Sequence, residues 1–321
     1  MPDPAQSDIN AVSPNILEQF VGQDECVVRV KVALEAAWAD GTRFPHTLMV
    51  GPPGVGKSLM AKVIAKEMGC ELREALAQTL GLGGELSALL LEAGDRDCVF
   101  LDEADEMYPY HMSLLYRSLE EGKLFVPRGE STEATRSIPL SSFTLLAATN
   151  NEFQLVQPLR ERFRLILRFD YYSVEALTLL LRQRAMALHW GIEEEALSGI
   201  AGRGRGTPRV ALRLLEACRR TCRSQYESVI TMQHFEQTCR MEGLDEMGLD
   251  RVEQQYLRYL YEAENAVRLG TLASVLGLPP RTVSSVIEDF LVRSELVIRS
   301  DFGRQLSKKG VEHVRTSLER P

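Results

Sequence analysis

The chain has 321 residues, 45% of them hydrophobic and 26% charged, and a formal net charge of −8 at pH 7. This composition predicts a globular protein of two or three domains and argues against a chain that coats nucleic acid over its whole surface. The polar start lacks the basic and apolar regions of a secretory signal, and no apolar run approaches the roughly 18 residues of a membrane span, so we expect a cytoplasmic protein.

The first elements along the chain lead to a glycine-rich loop. Residues 1–15 are polar and contain prolines, which predicts a disordered tail. A helix over 23–40 and an apolar strand over 47–50 follow, and a second helical pattern covers 57–68. The segment between that strand and that helix reads GPPGVGKS, from Gly51 to Ser58.

This loop has the form G-x-x-x-x-G-K-[ST], which binds the phosphates of a nucleoside triphosphate. Its glycines let main-chain N–H groups close around the phosphates, while Lys57 reaches the β and γ oxygens and the Ser58 hydroxyl ligates Mg²⁺. A chance match is the alternative, but a loop that joins a strand to a helix N-terminus is well placed to attract phosphate. The pattern predicts a nucleotide-binding site.

A second motif follows a helix predicted over 84–93. The strand predicted over 98–102 ends in two adjacent carboxylates, Asp102 and Glu103. Asp102 is the candidate second ligand of the metal ion, and Glu103 is the candidate general base that polarises the attacking water. Together with the loop, these carboxylates predict a nucleoside triphosphate hydrolase.

Strands and helices continue to alternate after this motif. Helices are predicted over 111–121 and near 156–162, and strands over 143–149 and 164–169. Apolar strands separated by helices imply an α/β domain whose parallel sheet is buried on both faces. We place this domain at 16–171.

Helices alone are predicted for the second domain, at 172–244. They cover residues 174–189, 193–202, 207–224 and 231–241.

The cysteines of the chain number six and include no C-x-x-C pair, which is typical of reduced thiols in a cytosol. A zinc site formed by Cys218, Cys222, His234 and Cys239 is an alternative. Their spacing matches no common ligand pattern, and burial of small side chains on a helix face is the simpler interpretation.

The third domain, at 245–321, has the element order of a winged helix. Helices are predicted over 249–263, 271–276 and 282–293, then a strand over 295–299, a turn from Ser300 to Gly303 and a last helix from Ser307. From Leu291 onward seven basic residues stand against four acidic ones, which makes this segment a candidate contact for DNA phosphates. A protein-contact domain is the alternative.

Three further segments follow one another in the order typical of AAA+ ATPases. FTLLAATN ends in Asn150, PLRERF contains Arg162, and GTPR ends in Arg209. They resemble sensor 1, the arginine finger and sensor 2. Asn150 would help orient the lytic water, Arg162 would enter a neighbouring subunit's site, and Arg209 would report the γ-phosphate to the lid. An ordinary surface arginine is the alternative for Arg162.

From about Pro14 to Arg315 the chain resembles the RuvB family of Holliday-junction branch-migration motors. The resemblance implies an α/β AAA+ P-loop domain with a parallel sheet, then an all-α lid domain and a C-terminal winged-helix domain. It rests on FVGQ at Phe20 to Gln23, GPPGVGKS, FLDEAD, LLYRSLEE at Leu114 to Glu121, FTLLAATN, PLRERF, RGRGTPR at Arg203 to Arg209, GLD at Gly248 to Asp250, LASVLG at Leu272 to Gly277, and the wing from Arg299 to Arg304.

Positions that match the family's motifs receive the family's roles by resemblance. Ser58 and Asp102 would hold Mg²⁺, and Arg162 would reach the ATP of a neighbour in a ring, a hexamer by resemblance. The wing residues Arg299 and Arg304 would touch phosphates of duplex or four-way-junction DNA. The implied ATP contacts are Val12, Gly54, Lys57, Ser58, Leu59, Tyr172 and Arg209.

The segment 123–142 corresponds to the hairpin through which RuvB docks on its junction-binding partner, RuvA. Ile138 and Leu140 are the apolar residues we expect at a RuvA-like contact. Packing of the hairpin against its own domain is the alternative.

Some positions depart from the family's pattern. Asp105 stands where the family has a histidine, and Asn150 stands where it usually has a threonine. The wing contains Asp301 and has lost one arginine. The hydrolytic motifs are intact, whereas the DNA and partner surfaces differ.

The sequence therefore predicts an ATP-driven DNA motor that acts in recombination and repair without contact with a membrane. A nucleotide-gated AAA+ switch, similar to an initiator or a clamp loader, is the alternative, because an AAA+ core followed by a winged helix also describes those proteins.

Overall fold

The computed structural model describes residue 9 and residues 12–81, 84–127, 135–263 and 265–318. The chain divides into two compact units. The first contains Met1–Trp190 and Gly206–Arg213, and the second contains Gly191–Arg205 and Leu214–Pro321. Most of the predicted disordered tail, residues 1–8, 10 and 11, lies outside the described residues, and the domain boundaries after 171 and 244 remain predictions.

The first unit is built on a five-stranded sheet in which all strands run parallel, as the alternation of strands and helices predicted. An antiparallel hairpin precedes the fourth strand of this sheet in the chain. The strands in the described part of this unit, in chain order, are β1 Thr47–Val50, β2 Leu72–Leu76, β3 Cys98–Asp102, β4 Lys123–Pro127, β5 Thr135–Pro139, β6 Thr144–Thr149 and β7 Leu165–Arg168.

The helices of the first unit also follow the prediction closely. The phosphate-loop helix, α2, begins at Lys57 itself. Among the residues that the structure describes, the α-helices are α1 Asp24–Asp40, α2 Lys57–Glu67, α3 Glu85–Glu92, α4 Pro109–Glu121, α5 Gln157–Arg160 and α6 Val174–Ala187.

The order of the sheet is β2-β3-β6-β1-β7. Strand β6 is buried along its whole length, and β3 is buried except at Asp102, because helices cover both faces of a parallel sheet. Alternate side chains of the two strands belong, with Leu48 of β1, to one hydrophobic core of this unit, here called the sheet core; they are Val99, Leu101, Leu145 and Ala147. Since parallel strands share one carboxyl edge, the ends of β1, β3 and β6 meet beside the N-terminus of α2.

Strand β2 was not predicted. It forms one edge of the sheet, where it pairs only with β3 among the described strands. Its residues include Arg73 and Glu74 and are half-buried or exposed, so the segment carries no apolar run that would identify a buried strand.

The second unit contains the remaining helices and two small sheets. Strands β8 and β9 are parallel and β10 and β11 antiparallel. Helix α8 begins in the first unit and continues into the second. The elements are α7 Glu194–Arg203, α8 Pro208–Ser224, α9 Met232–Glu242, α10 Arg251–Ala263, α11 Leu269–Leu276, α12 Pro280–Thr282, α13 Glu288–Arg293, α14 Lys308–Leu318, β8 Gly191–Ile192, β9 Val229–Ile230, β10 Val297–Ser300 and β11 Gly303–Leu306.

The helix predicted over 282–293 is interrupted. It begins earlier, with Pro280 in its first turn, and residues Val283–Ile287 form a π-helical turn before α13. The hydroxyls of Ser284 and Ser285 both donate to Arg281 O, in competition with the regular main-chain bonds of an α-helix. The wing follows as the hairpin β10–β11, in which Arg299 is paired with Arg304.

Among the described residues, no helix has the length and apolar character that crossing a membrane requires.

The packing of α14 against the start of the wing leaves no space at one glycine. A Cβ added to Gly310 would lie 2.2 Å from Leu296 O. That carbonyl is fixed, because Leu296 N donates to Leu291 O and Leu296 O accepts from Ser307 N.

We therefore expect Gly310→Ala to lower the free energy of unfolding by about 1–3 kcal/mol through overpacking. The matched control is Gly270→Ala, at an exposed site of α11 with no atom within 4 Å of the added Cβ. This control should be neutral or stabilising by up to about 1 kcal/mol. Urea unfolding followed by circular dichroism compares the two, and equal midpoints would contradict the packing argument.

Candidate active site

The phosphate loop is held in shape by close main-chain packing. A Cβ on Gly51 would lie 2.4 Å from Phe169 O, so only glycine fits there. Gly54 has a φ of +79°, and its Cβ would lie 2.9 Å from Thr207 and 3.0 Å from Arg209. These contacts fix the loop directly before α2. The main-chain N–H groups of the loop therefore lie at a helix N-terminus, which is a position that binds phosphate.

Lys57 is the most constrained side chain of the loop. Its ammonium group donates to Gly51 O at 2.6 Å, to Pro52 O at 2.8 Å and to Asn150 Oδ1 at 2.9 Å. The residue is 8% exposed, and burial lowers the pKa of its ammonium group to about 8, against the opposing effect of Asp102. An anionic phosphate beside this group would offset the cost of its burial, so the site fits a nucleoside triphosphate.

Ser58 and Asp102 lie together, as predicted. The Ser58 hydroxyl donates to Asp102 Oδ2 at 2.7 Å, and Glu103 N donates to Asp102 Oδ1 at 3.0 Å. A serine hydroxyl and a carboxylate are oxygen ligands of the kind that Mg²⁺ takes in nucleotide sites. This donor set therefore fits a divalent cation next to the phosphates.

Glu103 adopts a left-handed main-chain conformation with a φ of +53°. Non-glycine residues rarely adopt this conformation, and they concentrate at functional sites. Its carboxylate accepts a hydrogen bond from the side chain of Gln78, in the turn that follows β2. Gln78 was not predicted from the sequence, because a glutamine that follows an unpredicted edge strand belongs to no motif.

Asp105 occupies the position where the family's sequence has a histidine, and the structure gives it a partner. The Thr149 hydroxyl donates to Asp105 Oδ1 at 2.7 Å and accepts from Asn151 N at 2.9 Å. Thr149 is buried at the end of β6, next to Asn150. The acid thus fixes the strand end from which Asn150 reaches Lys57.

The remaining predicted nucleotide contacts lie in the first unit, and contacts with the loop glycines are made by Arg209 and Tyr172. Arg209 N donates to Gly54 O at 3.3 Å, and Tyr172 N donates to Gly206 O at 2.8 Å. Tyr172 is buried, and its ring fills the space that a Cβ on Gly22 would occupy, 2.6 Å away. Val12 O accepts a hydrogen bond from the buried Arg184. Leu59 is half-buried in the first turn of α2.

Arg162 is not brought to the phosphate loop by its own chain. Its guanidinium group pairs with Glu120 on α4 at 2.7 Å, and its main-chain N–H donates to Leu159 O. The side chain is 37% exposed. An exposed arginine paired within its own subunit is compatible with both interpretations, a finger at a neighbour's site and an ordinary surface residue.

The hairpin carries the two apolar residues predicted to contact a partner. Ile138 pairs with Leu124 across the hairpin, and Leu140 N donates to Gly122 O. Both side chains are half-buried. Leu140 packs against the sheet core, which favours an internal packing role for that residue. Residues 128–134 lie outside the described part of the chain.

The two wing arginines share one buried partner in the second unit. Arg299 Nε lies 2.6 Å from Glu288 Oε2, and Arg304 Nε lies 3.0 Å from Glu288 Oε1. Glu288 is fully buried and also accepts from the Tyr256 hydroxyl at 3.0 Å. The arginine side chains remain 41% and 19% exposed, respectively. The sequence did not indicate that Glu288 holds both.

The cysteines that could have formed a zinc site are not arranged as metal ligands. Burial raises the pKa of Cys218 to about 12 and also raises the pKa of Cys222 and Cys239, which keeps these thiols protonated. His234 Nδ1 instead caps α9 through Thr231. Within the described ranges no three or more His, Cys, Asp and Glu side chains are grouped for a metal ion.

Known proteins resemble the chain along almost its whole length. The family models that match are "Holliday junction DNA helicase RuvB P-loop domain" over residues 12–169, "RuvB AAA lid domain" over 172–245 and "RuvB C-terminal winged helix domain" over 246–315. The predicted fold class, a P-loop domain with a parallel sheet followed by a helical lid and a winged helix, is thereby confirmed.

Relatives named Holliday junction branch migration complex subunit RuvB give the same result. The protein from Anaplasma phagocytophilum (strain HZ) is 35% identical over 306 residues, which cover 95% of this chain and 93% of that protein. The one from Ehrlichia ruminantium (strain Gardel) is 32% identical over 305 residues, covering 95% and 92%.

Solved structures extend the likeness to three dimensions. A mutant of Thermotoga maritima RuvB matches with a TM-score of 0.84 at 30% identity and covers 97% of this chain and 100% of that chain. The structure named Thermotoga maritima RuvB Holliday junction branch migration motor matches with a TM-score of 0.82 at 30% identity, covering 94% and 97%. By its sequence and by its fold, this chain belongs to the RuvB family.

Proposed function

We propose that this protein is an ATP-hydrolysing motor that drives branch migration of Holliday junctions in DNA recombination and repair. The observation that carries the proposal is the joining of Lys57 to Asn150 and of Ser58 to Asp102 at the carboxyl edge of the sheet, in a chain of the RuvB family. The family and the names of its relatives favour a motor over a nucleotide-gated switch.

The chemistry of hydrolysis is assigned to groups that are already oriented. Lys57 moves its donors from Gly51 O and Pro52 O to phosphate oxygens, and Asn150 keeps hold of it from the next strand. Glu103 accepts the proton of the attacking water, and Gln78 sets the direction of its carboxylate. Arg209, whose main chain contacts Gly54, is the group that senses the γ-phosphate.

The metal site is assigned to Ser58 and Asp102. A Mg²⁺ ion held by these two residues would supply charge stabilisation for the phosphoryl group. The protein's own contribution is to keep the two oxygen ligands together, and the 2.7 Å hydrogen bond between them does so.

A ring of subunits completes the site. Arg162 pairs with Glu120 at the surface of its own subunit, so its use as a finger requires a neighbour. In that arrangement, the guanidinium group of Arg162 and the ammonium group of the next subunit's Lys57 both stabilise the negative charge of the phosphoryl transition state. A hexamer is the ring size that the family resemblance suggests.

Contact with DNA is assigned to the wing, where Arg299 and Arg304 face phosphates of duplex or four-way-junction DNA. Such contacts position a protein without reading sequence, which suits a motor that moves along any DNA. A RuvA-like junction-binding protein is the proposed partner of the hairpin, with Ile138 at the contact and Leu140 supporting it from the core side.

A branch-migration assay on a labelled synthetic four-way junction, with and without a junction-binding partner, tests the proposed function. We expect strand exchange that depends on ATP. Glu103→Gln should still bind ATP but lose about 10²- to 10⁴-fold in hydrolysis, and strand exchange should stop, because the general base is gone. Glu106→Gln, an exposed acid on the same turn, is the control and should keep both activities.

Tight ATP-dependent binding of the wild-type protein to the junction, without strand exchange, would favour the nucleotide-gated switch. Unchanged hydrolysis by Glu103→Gln would refute the base assignment alone.

The shared site predicts complementation between two inactive variants. Lys57→Ala keeps its finger but loses nucleotide binding, and Arg162→Ala keeps its phosphate loop but lacks the finger. Each variant alone should be inactive. In an equimolar mixture, a site is active when an Arg162→Ala subunit supplies the loop and a neighbouring Lys57→Ala subunit supplies the finger. Random assembly gives this combination at about a quarter of the sites, so ATPase activity should return at that fraction.

Arg160→Ala is the control for that experiment, because Arg160 is the neighbouring arginine and its guanidinium group lies over the Phe153 ring at 5.3 Å. It should be active without mixing. Full activity of dilute monomeric Arg162→Ala would contradict the finger assignment.

The wing makes a prediction about salt dependence. Arg299→Ala should weaken DNA binding equally across sequences, because one phosphate contact is lost. For the same reason, the slope of the logarithm of the binding constant against the logarithm of salt concentration should become shallower by about one unit. Arg223→Ala, an exposed arginine of α8, serves as the control and should leave the slope unchanged. Fluorescence anisotropy at several salt concentrations measures both, and an unchanged slope for Arg299→Ala would assign the wing to protein contacts.

A further inference from the structure

Two thiols in the first unit are in direct contact. Cys70 Sγ and Cys98 Sγ are 3.4 Å apart, and both are free thiols. Their main chains are fixed beside each other, because Cys98 N donates to Glu71 O at 2.9 Å and Cys70 N donates to Ala65 O at 3.0 Å. Closure of a disulfide requires the sulfur atoms to approach to about 2.05 Å.

The two thiols differ in exposure and in acidity. Cys98 is fully buried as the first residue of β3, whereas Cys70 is half-buried in the connection between α2 and β2. Contact with the Cys98 thiol lowers the pKa of Cys70, and the same contact together with burial raises the pKa of Cys98. Asp97 opposes ionisation of both. Cys70 is therefore the thiol that ionises and meets solvent first.

The other four cysteines lack this arrangement. Cys26 Sγ lies 3.1 Å from Arg168 O, and Cys222 Sγ lies 3.4 Å from Val229 O. Cys70 Sγ also contacts a main-chain carbonyl, Ala65 O at 3.5 Å, but it has in addition the contact with Cys98 Sγ. Cys218 and Cys239 are buried, and burial raises the pKa of each. The structure thus singles out one pair.

We propose that Cys70 and Cys98 form a reversible oxidation site, at which a hydroperoxide oxidises Cys70 and Cys98 resolves the product to a disulfide. This site is separate from the ATP-binding residues and does not depend on the proposed function.

The chemistry proceeds in two balanced steps. The Cys70 thiolate attacks one oxygen of hydrogen peroxide, an S–O bond forms, the O–O bond breaks, and the leaving hydroxide takes a proton to become water. Cys98 Sγ then attacks Cys70 Sγ, an S–S bond forms, the S–O bond breaks, and a second water leaves with the Cys98 proton. The two thiols together lose two electrons to the peroxide, and a dithiol reductant returns them.

The cross-link would join the two elements that carry the nucleotide site. Cys70 follows α2, which begins with Lys57 and Ser58, and Cys98 begins β3, which ends with Asp102. Both cysteines lie at the ends of these elements that point away from the phosphate loop. Oxidation would therefore tie α2 to β3 without occupying the site itself.

Peptide mapping of the full-length protein tests the proposal. The native protein is treated with hydrogen peroxide, quenched in acid, denatured, alkylated with N-ethylmaleimide and digested without reduction. We expect a linked peptide that contains Cys70 and Cys98, alkylation of the other four cysteines, and loss of the link after dithiothreitol. Absence of the linked peptide, or faster oxidation of any other cysteine, would overturn the proposal.

Single-cysteine variants distinguish the role of Cys70, which reacts with peroxide, from the role of Cys98, which resolves the product. In Cys98→Ser, Cys70 should stop at the sulfenic acid, which a dimedone probe traps, and then over-oxidise. In Cys70→Ser, Cys98 should remain reduced. Cys26→Ser is the matched control and should form the link as the wild type does. Oxidation of Cys98 in Cys70→Ser at the wild-type rate would refute the order of events, and the wild-type peptide map decides the proposal even if a variant fails to fold.

Discussion

The burial of the Lys57 ammonium group is the constraint on which the active site depends. A buried charge must find acceptors for its donors, and it finds two in the loop and the third in Asn150. Asn150 is available only because β6 lies directly beside β1 in the sheet. The order of the strands is therefore part of the chemistry of the site, since a different neighbour of β1 would leave one donor unpaired.

The same principle orders the acidic residues. Two carboxylates behind the loop are each held by a hydroxyl from another element, Asp102 by Ser58 of α2 and Asp105 by Thr149 of β6. A carboxylate at position 105 is compatible with the site because it has a donor. Asp105 thus anchors the end of β6, from which Asn150 reaches Lys57.

Local signals were sufficient to predict most of the fold and the central part of the site. The strands β1, β3 and β6 are apolar runs, and the loop and its carboxylates have fixed spacing, so each was readable within a short window. What was missed depends on contacts between distant parts of the chain. Strand β2 exists because β3 offers it an edge, and Gln78 matters only because Glu103 lies opposite it.

In the wing, one such distant contact changes the net positive charge that the sequence indicates for DNA binding. Arg299 and Arg304 read from the sequence as two free positive charges, but Glu288 faces both, so the three groups together carry a single net positive charge. Glu288 uses both Nε groups and also accepts from Arg304 Nη2 at 3.5 Å, and Arg299 Nη2 donates to Ser284 O at 2.7 Å. A guanidinium group has five N–H donors, so each arginine keeps further donors. Glu288 therefore orients the arginines and leaves donors for a phosphate. The three groups together therefore attract a DNA phosphate as one arginine would. Two guanidinium groups are nevertheless available to donate hydrogen bonds to phosphates.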